Sequence, residues 1–260
     1  WQLRADALTA AVAELQPLVS IVVVTFNNHD LNVLCLESIL QDTRYPNIEV
    51  IVVDNASADA TPSFLEALAA REPRVRVLLN RDNLGFAAAN NQGMALARGA
   101  YCCLLNNDTI VHGTWLDNLL AHLRRDAGLG MVGPVTNAIA NEAQIPVGYA
   151  SIEGMPAWAD EHAARHAGLL TSIPMLAFFC VLIPRWVWHR VGPLDERFGI
   201  GMFEDDDYNR RVRAAGLRTG LAHDSFVHHW QRASFKLLGE QEYLRIYREN
   251  EGRYRDKWVP

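Results

Sequence analysis

The chain has 260 residues, 50% of them hydrophobic, with only 17 glycines and 11 prolines, enough for one full core and unlike any fibrous or low-complexity chain. With 24 basic and 30 acidic residues its formal net charge is −6. That balance argues against general nucleic-acid binding but not against one anionic ligand at a local site.

Residues 1–17 are rich in alanine and leucine at helical spacing and end at Pro17, so they read as a leading helix or linker. The chain opens on Trp1, from which a piece of a longer polypeptide is expected. The pattern then changes. Val19 to Thr25 is a continuous β-branched run, and Ile48 to Val53, Val75 to Leu79 and Tyr101 to Leu105 repeat it. Such runs mark strands buried on both faces, as in parallel sheets. Between them Leu31 to Leu40, Thr61 to Ala70 and Gly85 to Arg98 read as helices. Strand alternating with helix predicts an α/β domain.

Residues 137–172 show no clear period and are expected to be a loop-rich insertion, a place where specificity could reside. The longest apolar run, Ile173 to Pro184, is broken by Pro174. It falls short of the roughly 20 residues a bilayer span needs, so a buried strand is predicted over Phe178 to Ile183. Order continues through Trp186 to Val191 to a turn at Gly192-Pro193. Tyr208 to Ala215 is helical and closed by Gly216, Leu221 to His229 is a late strand, and Lys236 to Trp258 is helical and charged. Cys35, Cys102, Cys103 and Cys180 lie in apolar stretches without metal spacing, so buried reduced thiols and a reducing compartment are expected.

In an open α/β sheet, ligands bind beyond the carboxyl ends of the strands. Four successive strands empty there into polar residues: Thr25, Phe26 and Asn27; Asp54, Asn55, Ser57 and Asp59; Asn80, Asp82, Asn83, Gly85 and Phe86; and Asn106, Asn107, Asp108 and Thr109. Singly each is an ordinary turn or cap, but topology gathers all four in one crevice. The small residues of Gly85 to Gly93 at a helix start would let an anion approach backbone N–H groups. Neither a dinucleotide fingerprint nor a P-loop is present. An Asp108 with amide neighbours suits a divalent ion that takes its other ligands from phosphates. Imidazole is a further ligand type, and in His228-His229 only one ring of the strand pair faces the site. Glu204-Asp205-Asp206-Asp207 is more acid than a helix N-terminus needs. Such crowding raises carboxylate pKa values, which suits a general base, and cation binding is the other reading.

In this order and at these intervals the segments resemble glycosyltransferase family 2, whose GT-A fold is a Rossmann-like, mostly parallel sheet flanked by helices. The resemblance covers about residues 18–235. It runs through Val19-Ser-Ile-Val-Val-Val-Thr-Phe-Asn27, Val53-Asp54-Asn55-Ala-Ser57, Asn83-Leu-Gly85-Phe86-Ala-Ala-Ala-Asn90, Leu104-Leu-Asn-Asn-Asp108 and Val191-Gly-Pro-Leu-Asp195. It ends with Phe203-Glu204-Asp205 and Phe226-Val-His-His229 with Ser234. It implies a glycosyltransferase domain over 18–235, with a nucleotide-binding half (18–110) and an acceptor-side half (111–235), followed by a C-terminal helical segment (236–260).

The implied activity is inverting transfer of a hexosyl or deoxyhexosyl group to an acceptor hydroxyl, in bacterial polysaccharide or glycan synthesis. Thr25, Phe26, Asn27, Asp54, Asn55, Ser57, Asn83, Gly85, Phe86, Asn90 and Asn107 would bind the nucleotide sugar, with Asp54 on the nucleoside. Asp108 and His229 would hold Mn²⁺ or Mg²⁺ on the diphosphate, His229 being preferred for its spacing to Ser234. Asp205 would be the general base, with Glu204 as its partner.

The segment from Gly85 looks like that of rhamnosyltransferase-like bacterial members, which implies a dTDP- or UDP-linked donor. A glycan or lipid-linked acceptor, no nucleic acid, and a cytoplasmic location at the inner face of the membrane complete the implication. Two positions depart from the family pattern. Asn106-Asn107-Asp108 lacks the first carboxylate of the metal triplet, and Ala177-Phe178-Phe179 replaces a small Gly-Ala pair. They bear on metal affinity and pocket shape respectively. Two rivals remain. A sugar nucleotidyltransferase would need a glycine-rich basic loop after the first strand, where Thr25 to Asn28 stand instead. A non-catalytic nucleotide- or glycan-binding domain of a larger assembly protein is the other, and the intact Glu204-Asp205 pair speaks against it.

Overall fold

The computed structural model describes residues 16–230 and 239–259. Strands β1 (Val19–Thr25), β2 (Ile48–Asp54), β3 (Val75–Leu79) and β4 (Tyr101–Asn106) pair in parallel in the order β3-β2-β1-β4. Helices α1 (His29–Asp42), α2 (Thr61–Arg71) and α3 (Phe86–Leu96) connect them. The β-branched runs form strands because both faces are covered. Val50 and Val52 belong to one core layer with α1 and α2, while Ile51 and Val53 belong to the other, with α3. All four are fully buried, and each such side chain contributes about 1.5–3 kcal/mol. Helix α3 lies so close to the sheet that a Cβ on Gly93 would fall 2.3 Å from Val22 Cγ1. Glycine is required there for packing.

The second half of the sheet is mixed, unlike the parallel first half. β8 (Cys180–Pro184) pairs antiparallel with β4 and β6 (Leu129–Val135), and β9 (Arg218–His229) pairs parallel with β6. Two short strands, β5 (Thr109–Val111) and β7 (Leu170–Ser172), pair antiparallel with β9. Helix α4 (Trp115–Arg125) packs Leu116, Leu119, Leu120 and Leu123 into the core beneath it. The expected loop-rich region 137–172 is more ordered than its sequence pattern indicates. It carries α5 (Met155–Arg165), whose Met155, Ala159 and His162 are buried while its other residues are polar, alanine or half-exposed. Three inward positions in eleven residues make a weak period, which is why the pattern did not announce a helix.

α6 (Arg185–Val191) follows β8, and α7 (Glu204–Ala214) begins four residues earlier than the hydrophobic pattern predicts. All four acidic residues therefore lie in its first turn. The C-terminal helix α8 spans Glu240–Trp258. Most of the predicted leading helix (residues 1–15), Ser234 and the start of the predicted C-terminal segment lie outside the described residues. Among those described, no helix is long and apolar enough to cross a membrane. The four cysteines are buried and unbridged.

Candidate active site

The carboxyl ends of β1 to β4 form one continuous hydrogen-bonded floor. Asp54 ends β2 opposite Thr25 of β1. Its Oδ1 accepts from Thr25 Oγ1 (2.8 Å) and Ser57 Oγ (2.5 Å), and its Oδ2 accepts from the Ser57 amide (2.9 Å). The Asn27 amide donates to Ser57 Oγ, and Asn27 Oδ1 accepts from the Ala58 amide. Asn32 of α1, which sequence reasoning missed, joins this loop to the next strand end. Its Nδ2 reaches Asn27 O and Thr61 Oγ1, and its Oδ1 accepts from Asn107 Nδ2 at 2.6 Å. An asparagine on a helix carries no spacing signal, so nothing in the sequence marked it. Phe26 is half-buried at the head of the same loop.

The Asn83–Asn90 segment holds protein as its nearest neighbour. Asn55 Nδ2 donates to Gly85 O (3.1 Å), Asn83 Oδ1 takes the Gly85 amide (2.9 Å), and the Phe86 amide donates to Ile200 O (3.1 Å). A Cβ on Gly85, at φ +84°, would lie 1.9 Å from Gly199 O. The expectation of exposed amides for an anion at this helix start is corrected at Gly85 and Phe86, because loop 199–200 already fills that approach. Asn90 is buried, and its Nδ2 donates back to Phe86 O within the first turn (2.9 Å).

Antiparallel pairing of β5 with β9 sets Thr109 opposite His229 and so brings the end of β9 to Asp108. His229 Nε2 is 3.2 Å from Asp108 Oδ1, and both side chains are buried. His229 Nδ1 is 2.9 Å from Ala138 O, which fixes Nδ1 as the protonated nitrogen and turns Nε2 toward Asp108. Asn137 exchanges two further bonds with the His229 backbone (2.8 and 3.1 Å). His228 points the other way, its Nδ1 2.7 Å from Tyr149 OH. Burial and the neighbouring His229 push its pKa down to about 4.

The Asp108–His229 pair fits a hard divalent ion that keeps one or two protein ligands and takes the rest from phosphate oxygens. Among the described residues no group of three or more His, Cys, Asp and Glu forms a metal cage. Beside this pair, loop residues Asn137, Ile139, Ala140, Asn141, Gln144 and Ile145 line an open cavity of about 720 Å³.

Phe178-Phe179, which replaces the small pair, links the two halves of the site. Phe179 stacks on the His229 ring (centroids 5.1 Å apart, 20° between planes), and its carbonyl takes the Asn106 amide. The Phe178 backbone amide bonds Asp205, and its ring packs edge-on against Tyr208. Asn209 clamps the same region, bonding Leu176 N and O and Asp205 O, all at 2.8 Å.

The four acids have different environments. Asp207 is fully buried and structural, bonded to Arg211 Nε (2.8 Å), Lys257 Nζ (2.6 Å) and Trp258 Nε1 (2.8 Å). Burial and the Asp205 charge push Glu204 up to about 8, and its Oε2 is buried without a hydrogen bond. Burial also raises Asp205, but the amides of Asp206, Phe178 and Asp205 itself stabilise its charged form. Burial and Asp205 raise Asp206 to about 7. Adjacent carboxyls in unequal environments divide into a proton holder and a base. Here burial and the Asp205 charge favour a proton on Glu204, while the surrounding amides favour the charged form of Asp205.

The approach to this turn is strained. Met202 (φ 77°) and Phe203 (φ 74°) are left-handed, as are Asn27, Asn28 and Ala56 at the ends of β1 and β2. These are the positive-φ residues other than glycine among those described, and such strain gathers at functional sites.

Comparison with known proteins shows the family and the fold. The profile of "Glycosyl transferase family 2" matches residues 20–187. The chain belongs to glycosyl transferase family 2. It is 31% identical over 231 residues to "Uncharacterized protein y4gI" of Sinorhizobium fredii, covering 84% of this chain and 25% of that protein. It is 30% identical over 224 residues to the O-antigen biosynthesis protein RfbC of Myxococcus xanthus, covering 82% of this chain and 17% of that one. The chain therefore spans a quarter or less of the length of these two relatives. Its fold is that of mannosyltransferase PcManGT from Pyrobaculum calidifontis, solved with GDP-Man and Mn²⁺. The TM-score is 0.64 at 20% identity, covering 85% of this chain and 60% of the other. The GT-A expectation holds.

Proposed function

We propose that this chain carries out metal-assisted, inverting transfer of a sugar from a nucleoside-diphosphate donor to an acceptor hydroxyl, in bacterial polysaccharide synthesis at the cytoplasmic face of the membrane. The observation that carries the proposal is the pairing of two unlike centres across Phe178-Phe179. On one side His229 Nε2 is aimed at Asp108 by the Ala138 carbonyl. On the other, the Asp205 carboxylate sits beside a Glu204 that keeps its proton.

Asp108 and His229 would hold Mn²⁺ or Mg²⁺, which when bound would supply charge neutralisation for the departing diphosphate. The floor of Thr25, Asn27, Asp54, Ser57 and Asn107 orients the nucleotide. Asp205 accepts the proton of the acceptor hydroxyl as its oxygen bonds to the anomeric carbon. The bond from that carbon to the diphosphate oxygen breaks on the opposite face, and its electron pair leaves with the nucleoside diphosphate. One displacement inverts the centre through a transition state of oxocarbenium character. Protonated Glu204 adds no second charge beside the base. The cavity at Asn137 to Ile145 supports an acceptor subsite adjoining His229, and the RfbC relative supports a bacterial surface polysaccharide as product.

Asp205→Asn tests the mechanism. The variant should keep its Mn²⁺-dependent thermal shift with nucleoside diphosphate but lose about 10²–10⁴-fold in turnover, the contribution of a general base. Turnover near that of the wild type would remove Asp205 from the reaction. A wild-type protein that binds donor and neither transfers nor hydrolyses it would favour a non-catalytic binding domain.

A further inference from the structure

The matched family range ends at residue 187, yet α8, some fifty residues further on, is built into the turn that presents the acids. Asn250 lies at its middle and is fully buried. Its Nδ2 donates to Phe198 O (2.7 Å) and Gly201 O (2.7 Å), with Met202 O at 3.3 Å. Arg253 Nη1 holds Asn250 Oδ1 at 2.6 Å, which leaves the amide group facing the loop carbonyls. Those carbonyls precede the left-handed Met202 and Phe203 and the first turn of α7. Around this point α8 adds three more attachments. Tyr247 and Tyr254 pack on the Phe203 ring (centroids 5.1 and 5.8 Å). Lys257 bridges Asp195 and Asp207, both at 2.6 Å. Trp258 Nε1 donates to Asp207, and its ring carries the Arg210 guanidinium at 4.6 Å.

A left-handed pair of large residues is held only where its surroundings over-determine it. Here α8 supplies the Asn250 and tyrosine contacts, beside the Phe86 amide on Ile200 O. We propose that α8 is part of the active-site scaffold and that Asn250 is a positioning residue, its amide holding the Phe198–Phe203 loop in the shape that presents Glu204 and Asp205. The role given to those acids rests on the proposed function. The hold on the loop does not. Asn250 touches no reacting atom, so its removal should leave donor binding intact and misplace the base. A misplacement of about 1 Å costs on the order of 10²-fold in rate.

The experiment uses the full chain and two readouts. Hydrogen exchange is followed by mass spectrometry in peptides spanning 198–207, without ligand. Nucleoside diphosphate release is followed with Mn²⁺ and UDP-N-acetylglucosamine, GDP-mannose or dTDP-rhamnose. In Asn250→Ala, exchange in 198–207 should rise about tenfold or more while β1 and β2 stay protected. For the donor that the wild type turns over, kcat should fall about 100-fold with donor KM within about twofold. Tyr247→Ala, at a half-exposed position compatible with folding, should act in the same direction more weakly. Arg245→Ala, whose ion pairs are with Glu242 and Glu249 of its own helix, should change neither readout.

Unchanged exchange in 198–207, or a rise spread evenly over the sheet in both Asn250→Ala and Tyr247→Ala, overturns the proposal. So does a loss that appears in KM with kcat preserved. If the wild type turns over none of the three donors, the catalytic reading fails for them, and the local exchange result still decides the positioning role.

Discussion

Glu204→Gln gives a test whose magnitude follows from the site itself. In the folded protein Glu204 keeps its proton up to about pH 8, because it is buried beside the Asp205 charge. In the unfolded chain it loses that proton near the ordinary glutamate value of 4.5. Between those limits the native state binds more protons than the unfolded state, so stability falls as pH rises, by about 1.4 kcal/mol per pH unit. From pH 6 to pH 8 this one carboxyl withdraws a little over roughly 2 kcal/mol after allowing for partial ionisation near pH 8. Glutamine fills nearly the same volume and does not titrate. The raised Asp205 and Asp206 carboxyls contribute to both proteins, so they largely cancel in the difference.

For a chain of this size 1 kcal/mol corresponds to about 2 °C in Tm. The Tm of Glu204→Gln minus that of the wild type should therefore grow by about 5 °C between pH 6 and pH 8. Differential scanning calorimetry at half-unit intervals measures it. Whatever constant offset the new amide introduces is irrelevant, because the slope carries the argument. Parallel Tm profiles across that range would refute the reasoning, since they would mean that Glu204 is ionised in the folded protein or solvated as in the unfolded one.

Three further outcomes are expected. Asp207→Ala removes the buried carboxylate that Arg211, Lys257 and Trp258 share, leaving Lys257 with Asp195 alone, and should cost about 3 kcal/mol or more in chemical denaturation, against little change for a surface acid such as Asp30. Gly85→Ala forces a side chain into a left-handed position already occupied by Gly199 O. It should lower stability by about 2 kcal/mol or more and disturb the 199–203 loop, visible in a thermal melt. His229→Ala should raise the Mn²⁺ concentration needed for a nucleotide-dependent thermal shift by about tenfold or more, whereas His228→Ala, with its ring toward Tyr149, should change it little.

The sequence by itself determined the parallel half of the sheet. Four β-branched runs can be buried only in a sheet covered on both faces, and alternation with helices leaves parallel pairing as the short-connection solution. Once that is granted, the strand ends from Thr25 to Asp108 must share an edge, and the edge observed is the one expected. Local chemistry also marked the acids from Glu204 to Asp207 as too many for a helix cap. It did not divide them. Asp207 and Glu204 part ways because α8 brings Lys257 and Trp258 to the first, while Oε2 of the second is buried without a hydrogen bond.

The orientation of the two histidines rested on spacing to Ser234, which lies outside the described residues. What turns His229 toward Asp108 is the antiparallel register of β5 on β9 together with the Ala138 carbonyl. The order within 137–172, the occupation of the Gly85 approach by Gly199, and the clamps from Asn32, Asn209 and Asn250 likewise come from tertiary structure. Each depends on a contact between residues far apart in the chain, and a single asparagine or glycine has no periodicity through which a sequence can announce such a partner.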